Sequence, residues 1–478
     1  MTSERAGHFQ SKELIIIRTC FALSVTIVSL ASATAAAAEH IPYDAKLAAK
    51  YDLDIPAIQE DNGPGPEWLQ KADMFSGARS VWKGYDIDLK DVAVERIVRY
   101  RAGHARKTVR EQVPVVIDGK LDGSSVNGVA LLSHAPHSPA AYKQAHEQGF
   151  RAIPYVHFMC IHTYYADQDV FYFQHPEILL KDSEGRWVHT PMDGSDRLHR
   201  ILTCANSPSY WKLSLAYVKK MMDFGADGVF IDNVGRRRPC HAHKSTTRNP
   251  EFDAYVHEHL FPEATHDYAW DRLLQSIRNL VKSYGDDKIV VLNPGIGTPF
   301  HKNGDCCMWE SFVYSWAWEG RRHTWEQVKQ RAKDNDSYLK SGRRITALSY
   351  LDGSRKEVKE DAYWAFSAAR LVDFIWWAAL DGTKAEALYR AHMGKPLEPI
   401  REDAELAHRT FENGLIVLNN SEEDKEVECT LAQGFGHSGL LDLFDGSKTL
   451  DIHSGRVTVA VPAKNARVYI VLEAHRRP

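Results

Sequence analysis

The chain has 478 residues, 26% of them charged, and a formal net charge of -4. That length can bury at least one large core, with about two domains as the prior. The near balance of charge argues against a polyanion partner, so no nucleic acid is expected, and the short run Arg236-Arg237-Arg238 reads as a solvated loop.

Residues 1–38 read as a signal peptide. Arg5, Lys12 and Arg18 make a basic region, and Cys20 to Leu30 an apolar stretch too short to span a bilayer comfortably. Ala36-Ala37-Ala38 then supplies an A-x-A cleavage site before Glu39. The expectation is an exported protein, periplasmic or extracellular, without stable membrane insertion once the signal is removed. Cys160, Cys204, Cys240, Cys306, Cys307 and Cys429 remain, and their spacings match no zinc pattern. An oxidising compartment permits disulfides. A Cys204–Cys240 bridge is one option, since both follow adjacent expected strands.

Residues 39–125 read as an N-terminal extension, broken at Asn62-Gly63-Pro64-Gly65-Pro66, with Trp68 and Trp82 as anchors. It is expected to hold a helix over Val92 to Tyr100 and a short strand over Val113 to Ile117. From about Val126 short apolar runs alternate with helical stretches, the pattern of parallel strands and crossover helices. The runs are Gly128–Leu132, Ile153–His157, Arg200–Cys204, Gly228–Asp232, Ile289–Asn293, Cys306–Glu310, Ile345–Tyr350 and Phe374–Ala378. Eight such runs predict an α/β fold, a (β/α)8 TIM barrel over residues 126–400. Pro154 fits poorly in a central strand unless it stands at the strand's start. One connecting helix is well specified: Ser207 caps it, Pro208 fits its first position, and Gly225 ends it. Trp211, Leu215, Val218 and Met222 form its apolar face. Residues 401–478 change to apolar runs between Gly, Asn, Asp and Ser, predicting a small C-terminal antiparallel β-domain, sandwich-like and supportive in role.

Function is sought where strands end, because a barrel's βα-loops gather there. His134, His157, Cys204, Asp232, Asn293, Glu310, Tyr350 and Asp352 fall at such ends. Asp232 and Glu310 stand out as carboxylates closing apolar strands, the fourth and sixth of the eight. Glycosidic cleavage needs such a pair, one group donating a proton and the other attacking carbon or activating water. Phe312, Tyr314, Trp316 and Trp318 would desolvate one carboxyl and offer flat faces to sugar rings. Each residue also has a plainer reading. A strand-end Asp is a common turn or cap residue. Glu310 could be an arginine's partner, with Asp305, Glu319 or Asp352 replacing it, and the aromatic run could be packing.

His157, His162, His241 and His243 lie near strand ends, which makes a metal-dependent hydrolase, such as a polysaccharide deacetylase, an alternative. No H-x-x-E-H or comparable motif appears, so no metal and no cofactor are expected.

Gly225-Ala226-Asp227-Gly228-Val229-Phe230-Ile231-Asp232-Asn233 resembles the "GxDGxxxDN" strand of barrel glycosidases. It is similar to the α-galactosidase-like group, the endo-α-1,4-polygalactosaminidase family and several hypothetical glycosyl hydrolase families. Ile289–Gly295, Met308–Phe312, His175–Trp187 and Phe411–Asn420 resemble further segments of those proteins. The resemblance spans roughly Val126 to Leu472 and implies Asp232 and Glu310 as the catalytic pair. Cys306-Cys307 and the Arg236–His243 stretch depart from the pattern, and both bear on pocket shape. The leading expectation is a glycosidase acting on an oligo- or polysaccharide, Asp232 being nucleophile or base and Glu310 the acid/base. His157, Asn233, Asn293, Tyr314, Trp316, Trp318, Tyr350 and Asp352 would contact the carbohydrate. A non-catalytic carbohydrate-binding barrel is the other alternative.

Overall fold

A computed structural model describes residues 41–472, apart from 60–61, 81–82, 89–105, 112–114, 118–128, 133–138, 148–149, 159, 163–174, 186–187, 192–197, 243–256, 315–321, 379, 381 and 404. The signal-peptide residues, Trp82, the Val92–Tyr100 stretch, His134, His243, Trp316, Trp318 and Glu319 therefore lie outside the described residues.

The centre is a strongly curled parallel sheet of eight strands, β1 Met74–Ser80, β2 Val129–Leu132, β3 Arg151–His157, β4 Gly228–Asp232, β5 Ile289–Leu292, β6 Cys306–Val313, β7 Arg344–Ser349 and β8 Ile375–Ala378. Neighbours in chain order pair in parallel throughout, and Met74–Ser76 of β1 also pairs in parallel with Trp376–Ala378 of β8. Helices α1 Pro139–Glu147, α2 Pro208–Asp223, α3 His266–Lys282, α4 Trp325–Asp334 and α5 Val358–Leu371 stand between strands. Between β5 and β6 there is only a 3-10 turn, His301–Asn303.

Seven of the eight expected runs are strands of this sheet. Arg200–Cys204 is the exception. Leu198–Leu202 lies in a three-stranded antiparallel excursion, between Cys160–His162 and His189–Pro191. An apolar run bounded by turns carries no information on its partner, so it was indistinguishable from a parallel strand. Its place is taken by β1, inside the range read as extension. Val115–Ile117 pairs antiparallel with the far end of β1. Pro154 stands in the middle of β3, opposite Leu132, so a central strand tolerates it at the loss of one ladder donor.

Strand alternation divides the apolar residues into two sets. Phe75, Ile153, Phe230, Ile289, Val291, Cys306, Met308, Leu348, Ile375 and Trp377 fill the inner face. Their neighbours Val229, Ile231, Val290, Leu292, Cys307, Trp309, Ala347 and Trp376 face the helices. Helix α2 follows its expectation closely. Ser207 Oγ accepts the Tyr210 N–H, Pro208 opens the helix, and Gly225 turns away with φ +97°. Trp211, Val218 and Met222 are buried, with Leu215 packed partly against them.

The N-terminal ends of three strands are tied by buried aspartates. Asp73, just before β1, meets Arg370 Nε at 2.8 Å. Asp227, before β4, accepts from Lys288 Nζ at 2.9 Å and the Ala152 N–H at 2.8 Å. Asp305, before β6, meets Arg278 at 2.9 Å and accepts the Val290 N–H at 2.8 Å. Asp305 was a possible substitute for Glu310. It sits at the opposite end of β6, committed to ion pairs. Trp68 does anchor the N-terminal segment, donating to the Asp287 carbonyl at 2.9 Å beneath the Arg151 guanidinium.

The C-terminal residues form separate antiparallel sheets, one of six strands and one pairing Lys425–Thr430 with Arg456–Val461. Leu415, Val417, Cys429, Val457, Val459 and Tyr469 pack between them. The opposite face, with Ile416, Leu418, Val468 and Ile470, joins the main core.

Candidate active site

Every residue of the central cluster stands two places beyond an inner-face core residue. Phe230 leads to Asp232, Val291 to Asn293, Met308 to Glu310, Leu348 to Tyr350, and Ile153 to Tyr155. A period of two therefore carries these five side chains into the mouth of the curled sheet, at the strands' C-terminal ends.

Among the described residues, three side-chain hydrogen bonds reach Asp232. Tyr155 Oη donates to Oδ2 at 2.7 Å, Asn233 Nδ2 to Oδ2 at 2.7 Å, and Asn293 Nδ2 to Oδ1 at 2.7 Å. Asn233 reaches back because its backbone is left-handed, with φ +57°, a conformation asparagine tolerates better than most residues. Glu310 accepts from Tyr350 Oη at 2.6 Å and from the same Asn293 nitrogen at 3.0 Å. Both acceptors of Asn293 are carboxylate oxygens, which fixes its amide with the nitrogen toward them. Two bonds of 2.7 and 3.0 Å to one atom limit the separation of Asp232 Oδ1 and Glu310 Oε2 to their sum, 5.7 Å.

Burial raises the Tyr350 phenol well above its ordinary pKa, reinforced by the charges of Glu310 and Asp232. It stays neutral and can donate at any working pH. His157 pairs with Asp232 in strand register, its ring 6.4 Å from that of Tyr155.

The aromatic run after Glu310 behaves differently from its expectation. Ser311 has φ +61°, and the β6–β7 register shifts between Trp309 and Val313. That bulge breaks the alternation, so Phe312 turns to the helical layer and stacks on Trp364 of α5. The Tyr314 hydroxyl donates to Asp361 of α5, with Arg355 over its ring at 4.0 Å. Neither is seen to desolvate Asp232 or Glu310. Asp352 is exposed and accepts the Ser354 N–H at 2.9 Å, a turn interaction that lowers its pKa.

Tyr155 escaped the sequence reading. It lies inside its strand, and only terminal residues were sought there. The inner-face parity of Ile153, Tyr155 and His157 was the available signal.

Among the described residues, one group of ligating side chains converges, Cys204, Cys240, His257 and His259. Neither His157, His241 nor Asp232 belongs to it. Cys204 and Cys240 are free thiols, which corrects the suggested bridge.

The family profile of hypothetical glycosyl hydrolase family 15 matches residues 142–415, more than half of the chain. The chain belongs to that family. It is accordingly a glycoside hydrolase, with carbohydrate as its substrate class. The matched span runs from α1 through the Asp232–Glu310 cluster to the first residues of the strand Gly414–Asn419. No curated protein matches the chain. Among solved structures, it is similar to the glycoside hydrolase domain of PelA from Pseudomonas aeruginosa, at 15% identity, 54% of this chain, 89% of that one and a TM-score of 0.36. A GH27 β-L-arabinopyranosidase from Geobacillus stearothermophilus is similar at 11% identity, 86% and 98% coverage, and a TM-score of 0.45. A maltogenic α-amylase, AmyB from Thermotoga neapolitana, is similar at 10% identity, 72% and 90% coverage, and a TM-score of 0.43. Scores at this level decide nothing about chemistry. Among the described residues no helix is long and apolar enough to cross a membrane.

Proposed function

We propose that the protein is an exported, retaining glycosidase that cleaves O-glycosidic bonds of an oligo- or polysaccharide with Asp232 and Glu310. The observation that carries this reading is the shared Asn293 nitrogen, which keeps the facing carboxylate oxygens within 5.7 Å. Retaining enzymes hold their carboxyl groups about 5–5.5 Å apart and inverting ones about 6.5–9.5 Å. The same closeness argues against a non-catalytic binding barrel, since nothing about binding requires two carboxylates to face each other. The parallel pairing of β1 with β8 supports a complete (β/α)8 barrel beneath the site.

In the first step Glu310 protonates the leaving glycosidic oxygen as Asp232 attacks the anomeric carbon, giving a glycosyl ester and a free alcohol. In the second step Glu310 takes a proton from water, and that water displaces Asp232. The donors from Tyr155, Asn233 and Asn293 hold the Asp232 carboxylate in place for attack. The Tyr350 hydroxyl donates to the Glu310 carboxylate and, rotated, accepts from its acid form, so one contact serves both protonation states. Asn233, His157 and the exposed Asp352 line the sugar path in this reading. The basic, apolar and alanine-rich start of the chain supports export.

Assay of a glycan panel with the wild type, Asp232→Asn and Glu310→Gln tests the pair. Hydrolysis of at least one glycan by the wild type is expected, with a loss of about a thousandfold or more in each variant. Undiminished hydrolysis by both variants would sink the assignment.

A further inference from the structure

The cluster of Cys204, Cys240, His257 and His259 has no part in the glycosidase chemistry. All four side chains are buried, and one ligating atom from each lies within 4.8 Å of all the others. They come from three separate stretches. Cys204 follows the antiparallel excursion, Cys240 lies in the stretch that leaves β4, and His257 and His259 precede α3. Cys204 Sγ lies 3.6 Å from His259 Nε2, and Cys240 Sγ lies 3.6 Å from His257 Nε2. A tetrahedral zinc with Zn–S of about 2.3 Å and Zn–N of about 2.05 Å has an S···N edge of about 3.6 Å. The two measured separations have that length.

We propose that these residues form a structural zinc site of the Cys2His2 type. The surroundings suit thiolate ligands. The Lys181 N–H points at Cys240 Sγ at 3.5 Å. Such a bond spreads the charge of metal-bound sulfur and orients it. Leu180, Leu202 and Ala242 pack around the sulfurs and exclude water. His266, the first residue of α3, sets its ring edge-on against His259 at 5.1 Å.

Four protein ligands complete the tetrahedron, so no position remains for water or substrate and the metal's role is structural. It ties the loop that begins at Asn233, directly after Asp232, to the excursion ending at Cys204 and to the start of α3. Zinc would thereby fix the path of the βα-loop that borders the catalytic aspartate. Whether the metal binds does not depend on the glycosidase reading, so the two can fail separately.

Elemental analysis of the full chain, purified without added metal, is expected to give about one zinc per molecule. His259→Ala and Cys240→Ser should lose most of it, whereas Cys429→Ser, whose sulfur lies in the C-terminal sheets, should retain it. If the ligand variants fail to fold, the wild type still decides. Exchange of its metal for cobalt(II) should give the visible bands of tetrahedral coordination and thiolate-to-cobalt charge transfer in the near ultraviolet. A wild type that takes up neither metal, or peptide mapping that finds Cys204 and Cys240 joined as a disulfide, would overturn the proposal. So would a cobalt spectrum of octahedral type without thiolate charge transfer.

Discussion

At Asn293 one amide nitrogen serves two carboxylates, so its loss reaches both members of the proposed pair. Hydrogen bonds to charged groups contribute about 1.5–3 kcal/mol each. Asn293→Ala is therefore expected to lower kcat by about a hundredfold or more, with a smaller change in KM. Tyr350→Phe removes one such bond and should cost about ten- to a hundredfold in kcat. An unchanged kcat in Asn293→Ala would mean that the two carboxylates act without their bridge. Asp227 illustrates a different role for the same residue type. Burial would raise its pKa, but Lys288, His146 and the Ala152 N–H outweigh it and hold it below the ordinary carboxylate range. A folded pKa below the unfolded one gives stability that is present above the unfolded value, about 3.9, and lost as pH falls through the folded value. Asp227→Asn should therefore lower Tm at neutral pH, and its deficit against wild type should shrink as acid protonates Asp227. A deficit independent of pH would contradict the ion-pair account.

At the scale of elements, alternation explains what was legible. Asp232 and Glu310 could be read because each closes a run of apolar residues, and the strand's period then carries it to the inner face. Asp232 kept its place as fourth of eight through two compensating errors. The antiparallel Leu198–Leu202 was counted and β1 was missed. β1 escaped because Met74-Phe75-Ser76-Gly77-Ala78-Arg79-Ser80 has no sustained apolar run. The bulge at Ser311 was equally silent, since a left-handed serine leaves no mark on composition. Gly228 is where sequence and backbone agree most closely. Its φ is +150°, and a Cβ there would lie 2.0 Å from the Ile289 carbonyl oxygen. Gly228→Ala should destabilise the fold by about 3 kcal/mol or more, measured by chemical denaturation. A loss below about 0.5 kcal/mol would show that β4 and β5 can part without penalty.

Over the whole molecule, the C-terminal sheets are bound to the curled sheet through α5. The Tyr363 hydroxyl donates to the Leu443 carbonyl, and Lys359 Nζ donates to the Phe444 carbonyl at 2.7 Å. Ile416, Leu418, Val468 and Ile470 share one core with Phe366, Ala369 and the outward residues of the strands. Truncation after residue 403 should therefore expose that face and give insoluble or molten protein, read by solubility and near-ultraviolet circular dichroism. A soluble, cooperatively folded fragment would make the sheets an independent module. That these residues form antiparallel strands was legible from their pattern, but their share of the core was not, because a sequence does not say which apolar face meets which. The same limit hid the zinc-ligand set, whose members stand far apart along the chain and meet only after folding.

The central claim is that Asp232 becomes covalently bound to sugar while Glu310 moves the proton. Glu310→Gln, mixed with an activated glycoside of the sugar identified by the panel and quenched in acid, should carry a glycosyl adduct that peptide mass mapping assigns to Asp232. An unmodified Asp232, together with wild-type product released with inverted anomeric configuration by NMR, would contradict the account.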